Sequence, residues 1–236
     1  MGKVSGIEWT DATWNPWYGC HKVSPACAHC YAERDMTRYG KDFNAVTRAK
    51  DATFFAPLKW DEPPLKIFTC SWSDFFIQEA DAWRGEAWNV MMQTPWHTYL
   101  VLTKRPERIG KNQLLMWPKN IWLGVSVETT RQYHRIDKLR EIPAHIRWLS
   151  MEPLLAKTVN TNLHGIHWVI VGTESGPKAR HTDLDWIRRI RDKCQAEGVA
   201  FFVKQLTQRG IKIPYENWPE DLRVREWPQG EREAGG

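Results

Sequence analysis

Short apolar runs recur along this chain with a regular beat: Lys66 to Cys70, Thr98 to Leu102, Ile121 to Val127, Ile146 to Ser150, His167 to Val171 and Val199 to Val203. Each has the length and continuity of a strand buried on both faces. Between most of them the apolar positions change to helical spacing, over Asp81 to Met92, Thr130 to Arg140 and Asp183 to Glu197. The last places Leu184, Ile187, Ile190 and Cys194 on one stripe, with Gly198 as its stop. A further strand is expected between Ile7 and Trp17, and a helix over Ala28 to Thr37. Strands alternating with helices imply a parallel sheet of βα units. No GxGxxG turn follows any strand, so the pattern predicts an α/β fold with a partial (β/α) barrel of about six to seven parallel strands, rather than a doubly wound sheet.

At 236 residues the chain is long enough for one large domain. The barrel is expected over residues 1–210, and residues 211–236 form a C-terminal tail. From about Asn217 that tail is polar, and it carries Trp218 and Trp227 between prolines and charges. It is expected either to lie across a barrel mouth or to be loosely held. There is no basic-then-apolar leader and no run of about 18 apolar residues, so a cytoplasmic protein with no membrane partner is expected.

Five cysteines is an odd number, and three of them crowd into the stretch Cys20 to Cys30. In a reducing compartment this favours metal binding over disulfides, and leaves Cys70 and Cys194 as free buried thiols. The formal charge of +5 and a pI near 8.9 permit an anionic partner without demanding one. The fifteen tryptophans read first as core and loop packing and second as platforms for stacked bases.

In a parallel barrel the active site is assembled at the C-terminal ends of the strands, and here those positions are polar. The runs end in Cys70-Ser-Trp-Ser-Asp74, Thr103-Lys-Arg-Pro106, Ser126-Val-Glu128, Ser150-Met-Glu152, Gly172-Thr-Glu-Ser-Gly176 and Lys204-Gln205. A glutamate after a strand is ordinarily a helix N-terminal residue, favoured by the dipole. Glu128, Glu152 and Glu174 at equivalent places, with Asp74 and Lys104 on neighbouring units, instead suggest a functional cluster at one mouth. The cysteine loop, residues 18–31, is expected to open there too. Gly172, Gly176 and Pro177 make a tight turn whose amides can approach a ligand.

Three thiolates are one short of a closed four-ligand site. Cys27-x-x-Cys30 is a zinc half-site that His21, His29 or Cys70 can complete, but no second paired half-site occurs. Three thiolates can instead bind three irons of a four-iron cluster and leave the fourth iron open.

The three-cysteine loop after a first strand, followed by helix and a barrel of βα units, resembles the radical S-adenosylmethionine superfamily. More closely, Trp14-Asn-Pro-Trp17 with its cysteines, Ser71-Trp-Ser-Asp74, Leu102-Thr-Lys-Arg-Pro106, Leu123-Gly-Val-Ser-Val-Glu128, Leu149-Ser-Met-Glu-Pro-Leu-Leu155, Val171-Gly-Thr-Glu-Ser-Gly-Pro177 and Phe202-Val-Lys-Gln205 resemble a phage-associated, radical-SAM-like family of largely uncharacterised proteins. The similarity spans about Ile7 to Gln205. Two departures stand out. Six residues separate Cys20 from Cys27, where the superfamily usually has three, and the usual Gly-Gly-Glu after the second strand is replaced by Ser71, Ser73 and Asp74.

The resemblance implies a [4Fe-4S] cluster held by Cys20, Cys27 and Cys30, with His29 and Tyr31 beside it. S-adenosyl-L-methionine would bind through Ser71, Ser73, Asp74, Ser126, Glu174 and Tyr31. Glu128, Glu152 and Lys104 are the implied catalytic residues, and Lys204 is a second candidate to neutralise a carboxylate or phosphate. The implied reaction generates a 5′-deoxyadenosyl radical that abstracts a substrate hydrogen, with a flavodoxin or ferredoxin as reductant. The phage association suggests an isomerase acting on an amino-acid-bearing thymine in DNA, in the host cytoplasm. The alternatives are a zinc- or cluster-stabilised nucleic-acid-binding protein, a structural barrel stapled by its cysteines, or the same radical chemistry on a peptide or small metabolite.

Overall fold

The computed structural model describes residues 5–60, 63–110, 117–158 and 161–228. The chain divides into two compact units, one of Met1–Val125 with Ile142–His145 and one of Ser126–Glu141 with Ile146–Gly236.

The first unit contains β1 (Ala12–Trp14), β2 (Trp17–Tyr18), α1 (Tyr31–Arg38), β3 (Thr47–Arg48), α2 (Asp51–Phe54), β4 (Lys66–Thr69), α3 (Asp81–Gln93), β5 (Thr98–Thr103) and β6 (Ile121–Ser126), whose last residue is assigned to the second unit. β1 pairs parallel with β4, β4 with β5 and β5 with β6, while β2 and β3 form a small antiparallel pair. The second unit contains α4 (His134–Arg140), β7 (Arg147–Met151), β8 (Trp168–Gly172), α5 (Leu184–Glu197), β9 (Ala200–Gln205), and the two-residue strands β10 (Thr207–Gln208) and β11 (Ile211–Lys212). β7, β8 and β9 pair parallel in chain order.

The fold is therefore mixed α/β, with a seven-stranded sheet in the order β1-β4-β5-β6-β7-β8-β9. That order never reverses, as in a partial barrel and unlike a doubly wound sheet. Every residue of β6 and β8 is buried, which is why those runs are continuously apolar rather than alternating. No helix among the described residues is long and apolar enough to cross a membrane.

Tryptophans are largely core. Trp9, Trp14, Trp17, Trp88, Trp122, Trp148, Trp168 and Trp218 are buried, and Trp117 stands edge-on to Trp88. α5 begins at the Asp183 N-cap, whose carboxylate accepts from the Asp185 amide, and ends at left-handed Gly198.

Three expectations need revision. The helix after the cysteines starts at Tyr31, because Pro25–His29 forms a 3-10 turn and Cys30 is extended. The stretch Thr130 to Arg140 splits into a 3-10 turn over Thr130–Gln132 and α4. The tail is fastened along β9 rather than loose: Val203 N donates to Val224 O, Glu226 N to Phe201 O, and Trp227 lies 4.7 Å from Trp168 between ring centroids. The glycine-ending remainder, 229–236, lies outside the described residues.

Candidate functional site

The residues singled out from the sequence fall into two groups, one in each unit. Cys20, Cys27, Cys30, Tyr31, Ser71, Ser73, Asp74 and Lys104 belong to the first unit, and Ser126, Glu128, Glu152, Glu174 and Lys204 to the second.

In the first unit the chain leaves β2 through Gly19, whose φ of +95° suits glycine; a Cβ there would come within 2.5 Å of Ala45 O. Gly19 N donates to Trp72 O (3.0 Å), Cys20 N donates to Phe43 O (2.8 Å), and Ser73 Oγ donates to Gly19 O (2.6 Å). Asn15 completes this stapling: its Nδ2 donates to Ser71 Oγ (2.9 Å) and its Oδ1 accepts from the Trp72 amide (2.9 Å). Tyr31 Oη donates to Ser71 O (2.8 Å). The cysteine loop is thus tied to the loop after β4 through Asn15, Gly19, Tyr31 and Ser73, and the side chains of Ser73 and Tyr31 are committed to protein carbonyls. His21 and Lys22 on the loop pair with Glu79 and Glu33, at 2.6 and 2.7 Å.

Asp74 is the hub of this region and only 5% exposed. Its Oδ1 accepts from Phe76 N (2.9 Å) and Thr103 Oγ1 (2.7 Å), and its Oδ2 from Lys104 N (2.8 Å) and Arg105 Nη1 (3.1 Å). Four donors use all the acceptor positions of a carboxylate. Asp74 therefore holds the loop after β4 to the loop after β5, and in this arrangement has no position left for a cofactor amino group. Arg105, 8% exposed, also reaches Cys20 Sγ with Nη1 (3.8 Å) and His21 O with Nη2 (2.8 Å).

The thiols have different surroundings. Burial, reinforced by the charge of Asp74, pushes the Cys20 thiol up to about 11 against the opposing pull of Arg105. Burial also acts upward on Cys27, but the charge of Lys104 and hydrogen bonds from the Val23 and Ser24 backbone and the Ser24 hydroxyl outweigh it and bring this thiol below its ordinary value. Cys70 is buried, at a φ of +62°, and burial drives its thiol well above the ordinary range. Among the described residues no set of three or more His, Cys, Asp or Glu side chains stands close enough to ligate a single ion. Thiolates that bind separate irons of a four-iron cube stand farther apart than donors to one ion.

The three strand-end glutamates of the second unit differ from one another. Glu174 is bound by Arg180, whose Nε donates to Oε2 at 2.8 Å, whose Nη2 donates to Oε1, and whose own amide also donates to Oε2. This closes the Ser175 to Ala179 turn and engages both oxygens. Glu152 Oε2 accepts from Lys204 Nζ (2.7 Å), and Gly172 makes room for it: a Cβ there would lie 3.3 Å from Glu152 Cγ. Glu128, fully buried, receives Arg135 Nη1 on Oε2 (3.2 Å), while the same nitrogen donates to Ser126 O (2.8 Å). The remaining oxygens, Glu128 Oε1 and Glu152 Oε1, are buried and meet no donor among the described residues. A buried acceptor without a donor is costly, and such groups mark places where a ligand's N–H or O–H can bind.

Sequence reasoning missed Asn15, Arg105 and Arg135. Asn15 and Arg105 lie inside motifs that had drawn notice, Trp14-Asn-Pro-Trp17 and Leu102-Thr-Lys-Arg-Pro106, but nothing in the residue types tells which member turns inward.

A family profile described as "Protein of unknown function (DUF5131)" matches residues 4–223. No curated protein and no solved structure matches the chain.

Proposed function

Because the chain belongs to the DUF5131 family of proteins of unknown function, whose description carries no activity, we propose its function from the site itself: a radical S-adenosylmethionine enzyme with a [4Fe-4S] cluster on Cys20, Cys27 and Cys30. The observation that carries this reading is a set of three thiols on one loop, anchored by Asn15, Gly19 and Ser73, with the first thiol contacted by Arg105. The donor set fits the group: three cysteine sulfurs on one loop, a neighbouring Lys104 charge that lowers Cys27, and a guanidinium on Cys20 whose pull opposes the upward push of burial and Asp74. His21, one candidate for a fourth zinc ligand, is paired with Glu79.

When bound, such a cluster supplies an open iron for the amino and carboxylate groups of S-adenosylmethionine, and one electron for its cleavage to a 5′-deoxyadenosyl radical. The chain's own residues position and shield. Asp74 fixes the loops beside Cys20. In the second unit, Glu128 and Glu152 each keep one buried oxygen that meets no donor among the described residues. Glu174 holds the loop after β8 through Arg180.

The reading includes a hydrogen abstraction leading to rearrangement of an amino-acid-bearing thymine in phage DNA, with a flavodoxin or ferredoxin as electron donor. Core burial of most tryptophans removes them as base-stacking platforms. Tyr39 takes that place in this reading: it is 67% exposed, lies 5.9 Å from the Trp72 ring, and adjoins exposed Arg38 and Lys41.

Anaerobic reconstitution with iron and sulfide tests the metal: about four irons and four sulfides per chain are expected, and a colourless chain that retains only zinc defeats the proposal. DNA carrying modified thymine is expected to raise 5′-deoxyadenosine formation. A peptide or metabolite that does so where DNA does not would reassign the substrate.

A further inference from the structure

Arg105 is set on Cys20 in a way that a plain ion pair with Asp74 does not require. Its fork takes hold of the first cysteine from two sides: Nη1 reaches the sulfur at 3.8 Å while also donating to Asp74 Oδ2 at 3.1 Å, and Nη2 donates to the carbonyl of the next residue, His21, at 2.8 Å. Arg105 is 8% exposed, so its orientation is set by these partners rather than by solvent. Asp74 is held in turn by Thr103 Oγ1 and the Lys104 amide, which makes the whole relay rigid.

Cys27 is supported differently. Its amide donates to Ser24 O at 3.0 Å and its sulfur lies 3.6 Å from Ser24 Oγ, so its own turn orients it. Cys20 stands seven residues before Cys27, outside that turn; its sulfur lies 3.6 Å from His21 O and is also reached by Arg105, which is 85 positions away in sequence. The long first spacing puts Cys20 outside the Ser24 turn, and Arg105 gives its sulfur an N–H donor from another loop.

We infer that Arg105 is a positioning residue for the Cys20 sulfur, and that its donated N–H raises the reduction potential of the cluster bound there. The inference rests on the function proposed above. A hydrogen bond to a ligating sulfur stabilises the form with more negative charge, which is the reduced one. One electron from the external reductant protein thus enters more readily with Arg105 in place. Lysine at this position keeps the charge but lacks the fork that brackets sulfur and carbonyl together.

The test is an anaerobic redox titration, followed by electron paramagnetic resonance, of the reconstituted full-length chain and its Arg105→Lys and Arg105→Gln variants, with iron and sulfide measured on the same samples. Arg105→Gln is expected to keep its iron and to show a reduced-to-oxidised ratio about tenfold lower at a fixed potential, equivalent to about 59 mV for one electron. Arg105→Lys is expected to fall between it and the parent. Variants that keep both their iron and the parent potential overturn the inference alone. If Arg105→Gln assembles no cluster, the lysine variant decides: a parent-like potential overturns the tuning role and a lowered one supports it. A parent chain that takes up no cluster overturns the proposed function and this inference together.

Discussion

Cys20 and Cys27 have the same chemistry and opposite surroundings, and the difference is measurable before any metal is added. Cys20 is pushed up by burial and by Asp74, whereas Lys104 and the donors of the Ser24 turn bring Cys27 below its usual value. The thiolate is the nucleophile, so at a fixed pH the lower thiol reacts first. In iron-free protein at about pH 8, iodoacetamide is expected to label Cys27 well before Cys20, as read by peptide mass spectrometry. Equal rates would contradict the charge distribution described for the loop. Substituting Lys104 by Met should narrow the gap by slowing Cys27 only.

Among the elements, the join between the loops after β4 and β5 depends on Asp74. Removing one partner of a buried ion pair leaves the other charge stranded, so Asp74→Ala is expected to cost about 3–5 kcal/mol in denaturant unfolding, and Asp74→Asn less. A loss near zero for Asp74→Ala would show that the four-donor geometry contributes nothing. The strands themselves were legible because each is a continuous apolar run bounded by polar residues, and the two ends of α5 because Asp183 and Gly198 cap it. The start of the cysteine helix is not legible, since Pro25 sets a 3-10 turn that residue spacing does not reveal. Asp74 reads from its place in the chain as a cofactor contact, and the partners it has within the chain, Thr103 and Arg105, are 29 and 31 positions away. Pairings over such distances follow from strand order, and one sequence gives residue types without partners.

At the scale of the molecule, a +5 charge and fifteen tryptophans had left a base-stacking surface open. Most tryptophans prove to be core, and the tail that carries Trp218 and Trp227 is sewn to β9, with Trp218 only 4% exposed. What remains for function is narrower: three thiols on a fastened loop in one unit, and in the other two buried carboxylate oxygens without a donor among the described residues. The most direct measurement is 5′-deoxyadenosine formed when the reconstituted chain is reduced in the presence of S-adenosylmethionine, set beside the Cys27→Ala variant. The account predicts the product from the parent chain and none from the variant. Equal product from both, or none from a parent chain carrying its full iron, would contradict it.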